Sequence, residues 1–195
     1  MKKVSRIKMA LLTIAGFAMA IAATAQIAYS TTVIDIKLNG TSNVHDWEMK
    51  AVAGNSNTSF AVANGKIISL SAMNFSLPVK NLKSGHDGMD KNTYKALNEP
   101  ANPTIRFVLG SATVAAAGGN NYKLNCSGKM TIAGITKDVE LIATAIYNPA
   151  DKSFSITGVK KMKMTDYNVK PPKALMGTIK TGNDISISYN LKFKA

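Results

Sequence analysis

The stretch Asp184-Ile185-Ser186-Ile187-Ser188-Tyr189-Asn190-Leu191-Lys192-Phe193 decides the fold class. Every odd position from Ile185 to Phe193 is apolar, and every even position from Asp184 to Lys192 is polar. A period of two belongs to a strand with one dry face and one wet face. The same period recurs upstream. Tyr122, Leu124, Cys126 and Met130 alternate with polar residues. Ile34, Ile36 and Leu38 alternate with Asp35 and Lys37, and Met73, Phe75, Leu77 and Val79 form another set. Ile105, Phe107 and Leu109 share a face with Arg106 on the other side, and Phe154, Ile156, Gly158, Met162 and Met164 share a face opposite Lys161 and Lys163. Val139 to Tyr147 is apolar on both faces in places, which predicts a strand covered on both sides.

Turn residues punctuate these runs. Asn64-Gly65 between two apolar runs predicts a two-residue hairpin, and Gly118-Gly119-Asn120, Asn148-Pro149 and Gly182-Asn183 mark further turns. Helical pattern is scarce. Asp87 to Leu97 predicts one short helix before Pro100 and Pro103, and Pro171 to Met176 a possible second turn of helix. Eight to ten strands at regular spacing give an all-β protein, either a sandwich or an up-and-down barrel.

Length and charge bound the rest. The 195 residues suit one domain, and 46% apolar content is that of a packed protein. Met1 to Lys8 carries Lys2, Lys3, Arg6 and Lys8; Met9 to Ala23 is small and apolar; Ala23-Thr24-Ala25 follows. This is the pattern of a secretory signal peptide, with cleavage expected near Ala25, residues 26–195 as the exported domain, and a periplasmic or secreted location. Loss of that segment takes the net charge from +13 to +9. One Cys excludes an internal disulfide, and alternation places Cys126 on the dry face. Arg106 is the one Arg beyond the signal, which argues against nucleic acid, whose recognition leans on Arg. No catalytic motif for a serine hydrolase, zinc protease or nucleotide enzyme is present, so no enzyme activity and no cofactor are expected.

The inward set decides what the interior holds. Met73, Met130, Met162 and Met164 stand there with Phe75, Phe107, Phe154 and Tyr189. Periodicity shows an apolar inside but not an empty one, and a filled core is the simpler expectation. A small barrel does have room for one elongated ligand, and Met adapts to a flexible chain.

Three motifs carry a resemblance. Met130-Thr131-Ile132-Ala133-Gly134-Ile135-Thr136-Lys137-Asp138-Val139 resembles the strand–"hGvtKpV"–strand signature of the YceI-like family. The helix ending at Leu97 followed by Pro103-Thr104-Ile105-Arg106-Phe107 is similar to its helix and "yPtItF" strand opening. Ser42 to Trp47 resembles an S-x-x-H-x-W opening found in one branch. The resemblance implies an extended antiparallel eight-stranded, lipocalin-like barrel with one or two short helices in its connections. It also implies an internal tunnel holding a long isoprenoid or fatty lipid. The residues expected to line it are Trp47, Met73, Phe75, Phe107, Met130, Phe154, Met162, Met164 and Tyr189. His45, His86, Lys161 and Lys163 are expected at the rim or at a lipid head group. The more polar opening and the Gly85-His86-Asp87-Gly88 loop depart from the commoner branch.

Two rival readings stay open. One is an envelope interaction module with a filled barrel and a Lys-rich docking surface, and a dimer stays open. Lys160, Lys161, Lys163, Lys170 and Lys173 crowd one stretch, either as a rim that attracts a lipid phosphate or, transiently, an anionic membrane surface and so helps ligand transfer, or as a solvated face. The other is a metal- or redox-linked accessory protein using His45, His86 and Cys126, which would require the two His to meet. Within the His45-Asp46-Trp47 opening, His45 fixes a loop or touches a head group, and Trp47 plugs a barrel end or lines the tunnel.

Overall fold

A computed structural model describes residues 26–195. The signal-peptide segment lies outside the described residues. The elements, in chain order, are β1 (Gln26–Ser42), β2 (Trp47–Ala51), β3 (Asn55–Ala63), β4 (Lys66–Pro78), β5 (Leu82–Lys83) and α1 (Asp87–Ala96). There follow β6 (Thr104–Ala116), β7 (Asn121–Ile132), β8 (Ile135–Asn148), β9 (Ser153–Lys163), β10 (Lys173–Ala174) and β11 (Ile179–Lys194). Eight long strands pair in the order β1-β3-β4-β6-β7-β8-β9-β11, and β11 returns to β1. The sheet is therefore a closed antiparallel barrel. Closure removes the exposed sheet edges that would otherwise template aggregation.

Local chemistry explains the hairpins. Asn64 and Gly65 both adopt left-handed backbone angles, which the tight β3–β4 turn requires. The predicted helix forms as α1, packed over one end of the barrel, called here the top. Buried Asp90 fixes it by accepting hydrogen bonds from Ser84 N and Oγ at 2.8 and 2.7 Å. Burial opposes the charge on Asp90, but these bonds and the nearby Lys83 outweigh it and hold the carboxyl below its usual range.

Several expectations need correcting. Strand β8 is not covered on both sides: Ile142 and Ile146 are 61% and 48% exposed on its outer face. The turn of helix expected between Pro171 and Met176 is confined to the end of that stretch. Lys173–Ala174 pairs with β11, and a 3-10 turn covers Leu175–Gly177. Val79 and Met164 belong to 3-10 turns that follow β4 and β9 rather than to the strands themselves. Three further features escape simple alternation. Strand β1 carries a bulge between Thr31 and Val33, so Ile27 and Tyr29 join the inner face although their parity differs from that of Ile36. Two register shifts against β3 let Ile67, Leu70 and Met73 all turn inward at three-residue steps. Strands β2 and β3 are one strand interrupted: Ser30 faces Asn57 and Ile36 faces Ala51, six residues on along each strand.

The bottom end of the barrel is solid. Phe154 stacks on Phe193 at 4.8 Å and meets Tyr29 and Phe60 edge-on at 4.7 and 4.2 Å. Phe60 and Phe193 are fully buried. Offset and edge-to-face rings are favourable arrangements, so the end is both filled and rigid.

Candidate functional site

Above the aromatic plug the interior loosens into an apolar cavity of about 140 Å³. Its wall includes Met73, Phe75, Phe107, Met130 and Tyr189, five of the residues expected to line a tunnel. Glycine at 128 makes room for the Phe107 ring and glycine at 158 for Tyr189: a Cβ at either position would collide with the ring. Cys126 also faces the cavity, and burial pushes its thiol above the usual range. Burial, and to a smaller degree Cys126, pushes the Tyr189 hydroxyl up to about 12. Both groups are therefore neutral at ordinary pH. Apart from Arg106 and Lys160 the lining is uncharged and almost wholly apolar, which suits a hydrocarbon.

The wall is broken on one side. Strand β8 is paired along its whole length with β7, from Asn121↔Ile146 to Ile132↔Ile135. With β9 it pairs from Asn148↔Ser153 only as far as Ala143↔Gly158. Above that point the two strands part, while β9 continues with β11 up to Lys163↔Asp184. Leu141, Lys160 and Tyr189 line the cavity beside this split. Lys160 Nζ spans it, donating a hydrogen bond to Glu140 O at 3.0 Å. The Tyr189 hydroxyl reaches Ile142 O at a long 3.5 Å. Ile142 and Val159, 61% and 57% exposed, flank the opening. Lys160 faces Ile187 across the β9–β11 ladder, so its stem belongs to the inner face. Gly158, two residues earlier on the same face and needed for Tyr189, is the signal in the sequence that Lys160 turns inward.

Trp47 and Met162 sit one layer above the cavity. Trp47 faces Gly40, Gly40 faces Ile185 and Ile185 faces Met162, a single row across four strands. The indole lies against Gly40, where a side chain would collide with it, and its Nε1 donates to Thr41 O at 2.9 Å. This row floors an open groove of about 980 Å³ at the top end, edged by Asp46, Glu48, Asp166 and Asp184 together with Lys161 and Lys163. Those two lysines are exposed and belong to the groove, not the cavity.

Two residues expected to line the tunnel line neither space. Phe154 is part of the bottom plug, because β9 carries it a full layer below Gly158. Met164 is buried in the 3-10 turn beyond β9. His45 is exposed in the β1–β2 hairpin, its Nδ1 2.7 Å from Asp46 O. His86 is exposed at the N-terminus of α1, where Ser84 Oγ donates to its carbonyl at 3.1 Å. Among the described residues, no three His, Cys, Asp or Glu side chains are grouped to hold a metal ion.

A model of the YceI-like domain matches residues 23–193. The chain belongs to the YceI-like family. Solved structures agree on the fold. BcnA of Burkholderia cenocepacia is similar with a TM-score of 0.65 at 20% identity, over 82% of this chain and 95% of that one. A polyisoprenoid-binding domain from Saccharophagus degradans, implicated in plant cell wall breakdown, gives 0.64 at 10% identity over 86% and 98%. The YceI protein of Campylobacter jejuni gives 0.52 at 14% identity over 100% and 99%. At these identities the likeness is one of fold. No curated protein sequence matches the chain.

Proposed function

We propose that this YceI-like protein is an exported binding protein that holds one long apolar lipid, an isoprenoid or a fatty chain, in the upper half of its barrel. It works as a carrier or store in the cell envelope, without catalysis and without a cofactor. The observation that carries this reading is a largely apolar cavity that meets a split in its own wall. Family membership and the polyisoprenoid-binding domain among the similar structures support it.

The volume shapes the mechanism. About 140 Å³ is well below the ~300–1,000 Å³ of most ligand sites. A long chain therefore enters by displacing side chains. Met73 and Met130 are suited to this, since unbranched thioethers change rotamer at little cost. The β8–β9 split is the proposed entrance, because widening it breaks no ladder hydrogen bond above Ala143 and Gly158 and loses the Lys160–Glu140 contact and the long Tyr189–Ile142 one. The basic and apolar segment ending at Ala25 supports export.

The small volume also favours a second reading, an envelope interaction module whose barrel stays filled. One experiment separates the two. Native mass spectrometry is run on the exported protein, and an organic extract of it is analysed. A bound mass that extracts as an isoprenoid or acyl chain is the expected result. A bare protein mass, with no uptake of added polyprenyl or fatty ligand, overturns the carrier reading in favour of the module.

A further inference from the structure

Between Tyr167 and Asn183 the chain leaves the barrel top and returns. This excursion contains Lys170, Lys173 and Lys180 and no acidic residue. Its base is fixed, since Tyr167 and Val169 are buried in the core and Thr181 N donates to Pro172 O at 3.1 Å. Its tip is Leu175-Met176, 71% and 108% exposed. Leu175, Met176 and Gly177 all have positive φ, at 47°, 54° and 90°. Left-handed backbone is strained for side chains such as Leu and Met. Lys173 faces Lys180 directly across the β10–β11 pair, a like-charge juxtaposition that weakens a sheet. Among the described residues, none of the three lysines makes an ion pair.

A second loop is fastened to this one. Asn43, at the tip of the β1–β2 hairpin, donates from Nδ2 to Thr178 O at 2.9 Å and accepts from Lys180 N at 2.7 Å. Its own N–H donates to Lys180 O at 3.1 Å. The next residue, Val44, is 61% exposed. Two loops thus present Val44, Leu175 and Met176 outward from one end of the molecule, with Lys170, Lys173 and Lys180 set behind them. The neighbouring acids stand around the groove below: Asp46 at the foot of the same hairpin, Glu48, Asp184, and Asp166, which accepts from Lys163 N.

Exposed apolar side chains, strained backbone and facing lysines each cost stability, and nothing within the fold offsets them. One partner offsets all three, namely a surface that is apolar inside and negatively charged at its boundary. We propose that these paired loops seat the protein on an anionic lipid bilayer. Leu175, Met176 and Val44 enter the interface and the three lysines meet lipid phosphates. Docking does not depend on what the barrel holds, and it brings the top end, with its groove and the split beside it, toward the membrane.

Flotation with vesicles tests this, using the chain from Gln26, which closes on itself as one barrel. Binding is expected to phosphatidylcholine vesicles containing phosphatidylglycerol, and to weaken steeply with added salt and on pure phosphatidylcholine. Leu175→Asp and Met176→Asp should each lower binding on the order of tenfold. Lys173→Glu should lower it on the order of tenfold or more, and Lys173→Arg should preserve it. All three positions are exposed, so an unchanged thermal midpoint certifies the fold. Absence of binding to the anionic vesicles at low salt overturns the proposal. So does binding that the two Asp variants leave intact. Self-association that Leu175→Asp abolishes, in a protein that ignores vesicles, assigns the patch to a second copy and also overturns it. Loss of a co-purifying lipid leaves all these readouts unmoved, so this test and the cargo test fail separately.

Discussion

The two halves of the barrel solve the same packing problem in opposite ways. The bottom half is filled by Tyr29, Phe60, Phe154 and Phe193 in mutual ring contact, which holds it together even though its β4–β6 ladder stops at Asn74 and Val108. The top half has Met73 and Met130 where the bottom has rings, and its β8–β9 ladder stops at Ala143 and Gly158. The bottom is therefore a stable base that ignores ligand. The top gives up some packing to gain the ability to rearrange. Each half has one interrupted ladder, so the difference shows that side-chain filling, not strand pairing alone, decides whether one alternating pattern builds a core or a site.

The largest expected break in this contrast is Phe60→Ala. It empties the plug and should cost about 3–5 kcal/mol in urea unfolding, with lipid content unchanged among molecules that remain folded. Met130→Ala enlarges a space that already exists. It should fall near or below the low end of the usual loss of about 2–5 kcal/mol, and should speed ligand uptake.

Next in size is a pH effect. Tyr189 ionises near 10.0 when unfolded and at about 12 in the fold. Between those values the unfolded chain has released a proton that the folded chain keeps, so stability falls as pH rises. The Tyr189 contribution should be flat below pH 10 and decline by about 2–3 kcal/mol toward pH 12, and Tyr189→Phe should remove it, leaving the fall that the raised Cys126 thiol starts from about pH 9. Other tyrosines shift upward as well, which makes the difference between variant and parent the quantity to read.

The smallest effect belongs to Lys160→Met. One partly exposed hydrogen bond across the split is lost, so unfolding should shift by no more than about 0.5 kcal/mol. If the split is the entrance, uptake of an added fatty ligand should nevertheless accelerate. An unchanged uptake rate would remove the split from the mechanism. Trp47, the single Trp, stands above the cavity and offers a fluorescence reading for that kinetic experiment.

Much of the fold could be read from sequence because alternation reports a half-buried strand directly. Strand β11, most of β7, the Asn64-Gly65 turn and α1 all appear where the pattern puts them. Bulges were illegible, because the step at Thr31–Val33 and the three-residue spacing of Ile67, Leu70 and Met73 look like noise against a strict period of two. In the site, alternation identified which residues face inward but not their height along the barrel. Phe154 was therefore grouped with Met73, although β9 sets it in the plug. The doubly apolar β8 read as a covered strand, whereas Ile142 lies exposed beside the split. A missing ladder leaves no mark in composition, so only the structure could reveal it.

The pairing of β1 with β11 sets the order of assembly. Ser30 faces Lys194 and Gly40 faces Ile185, so the first described strand finds its partner only when the last one arrives. Contacts of such long sequence separation form slowly, and no partial chain can close the ring. Until then β1 and β9 each carry an unsatisfied edge. A chain of this topology stays unfolded and threadable while it is being made or moved. Deletion of β11 should therefore yield an aggregating product rather than a smaller barrel.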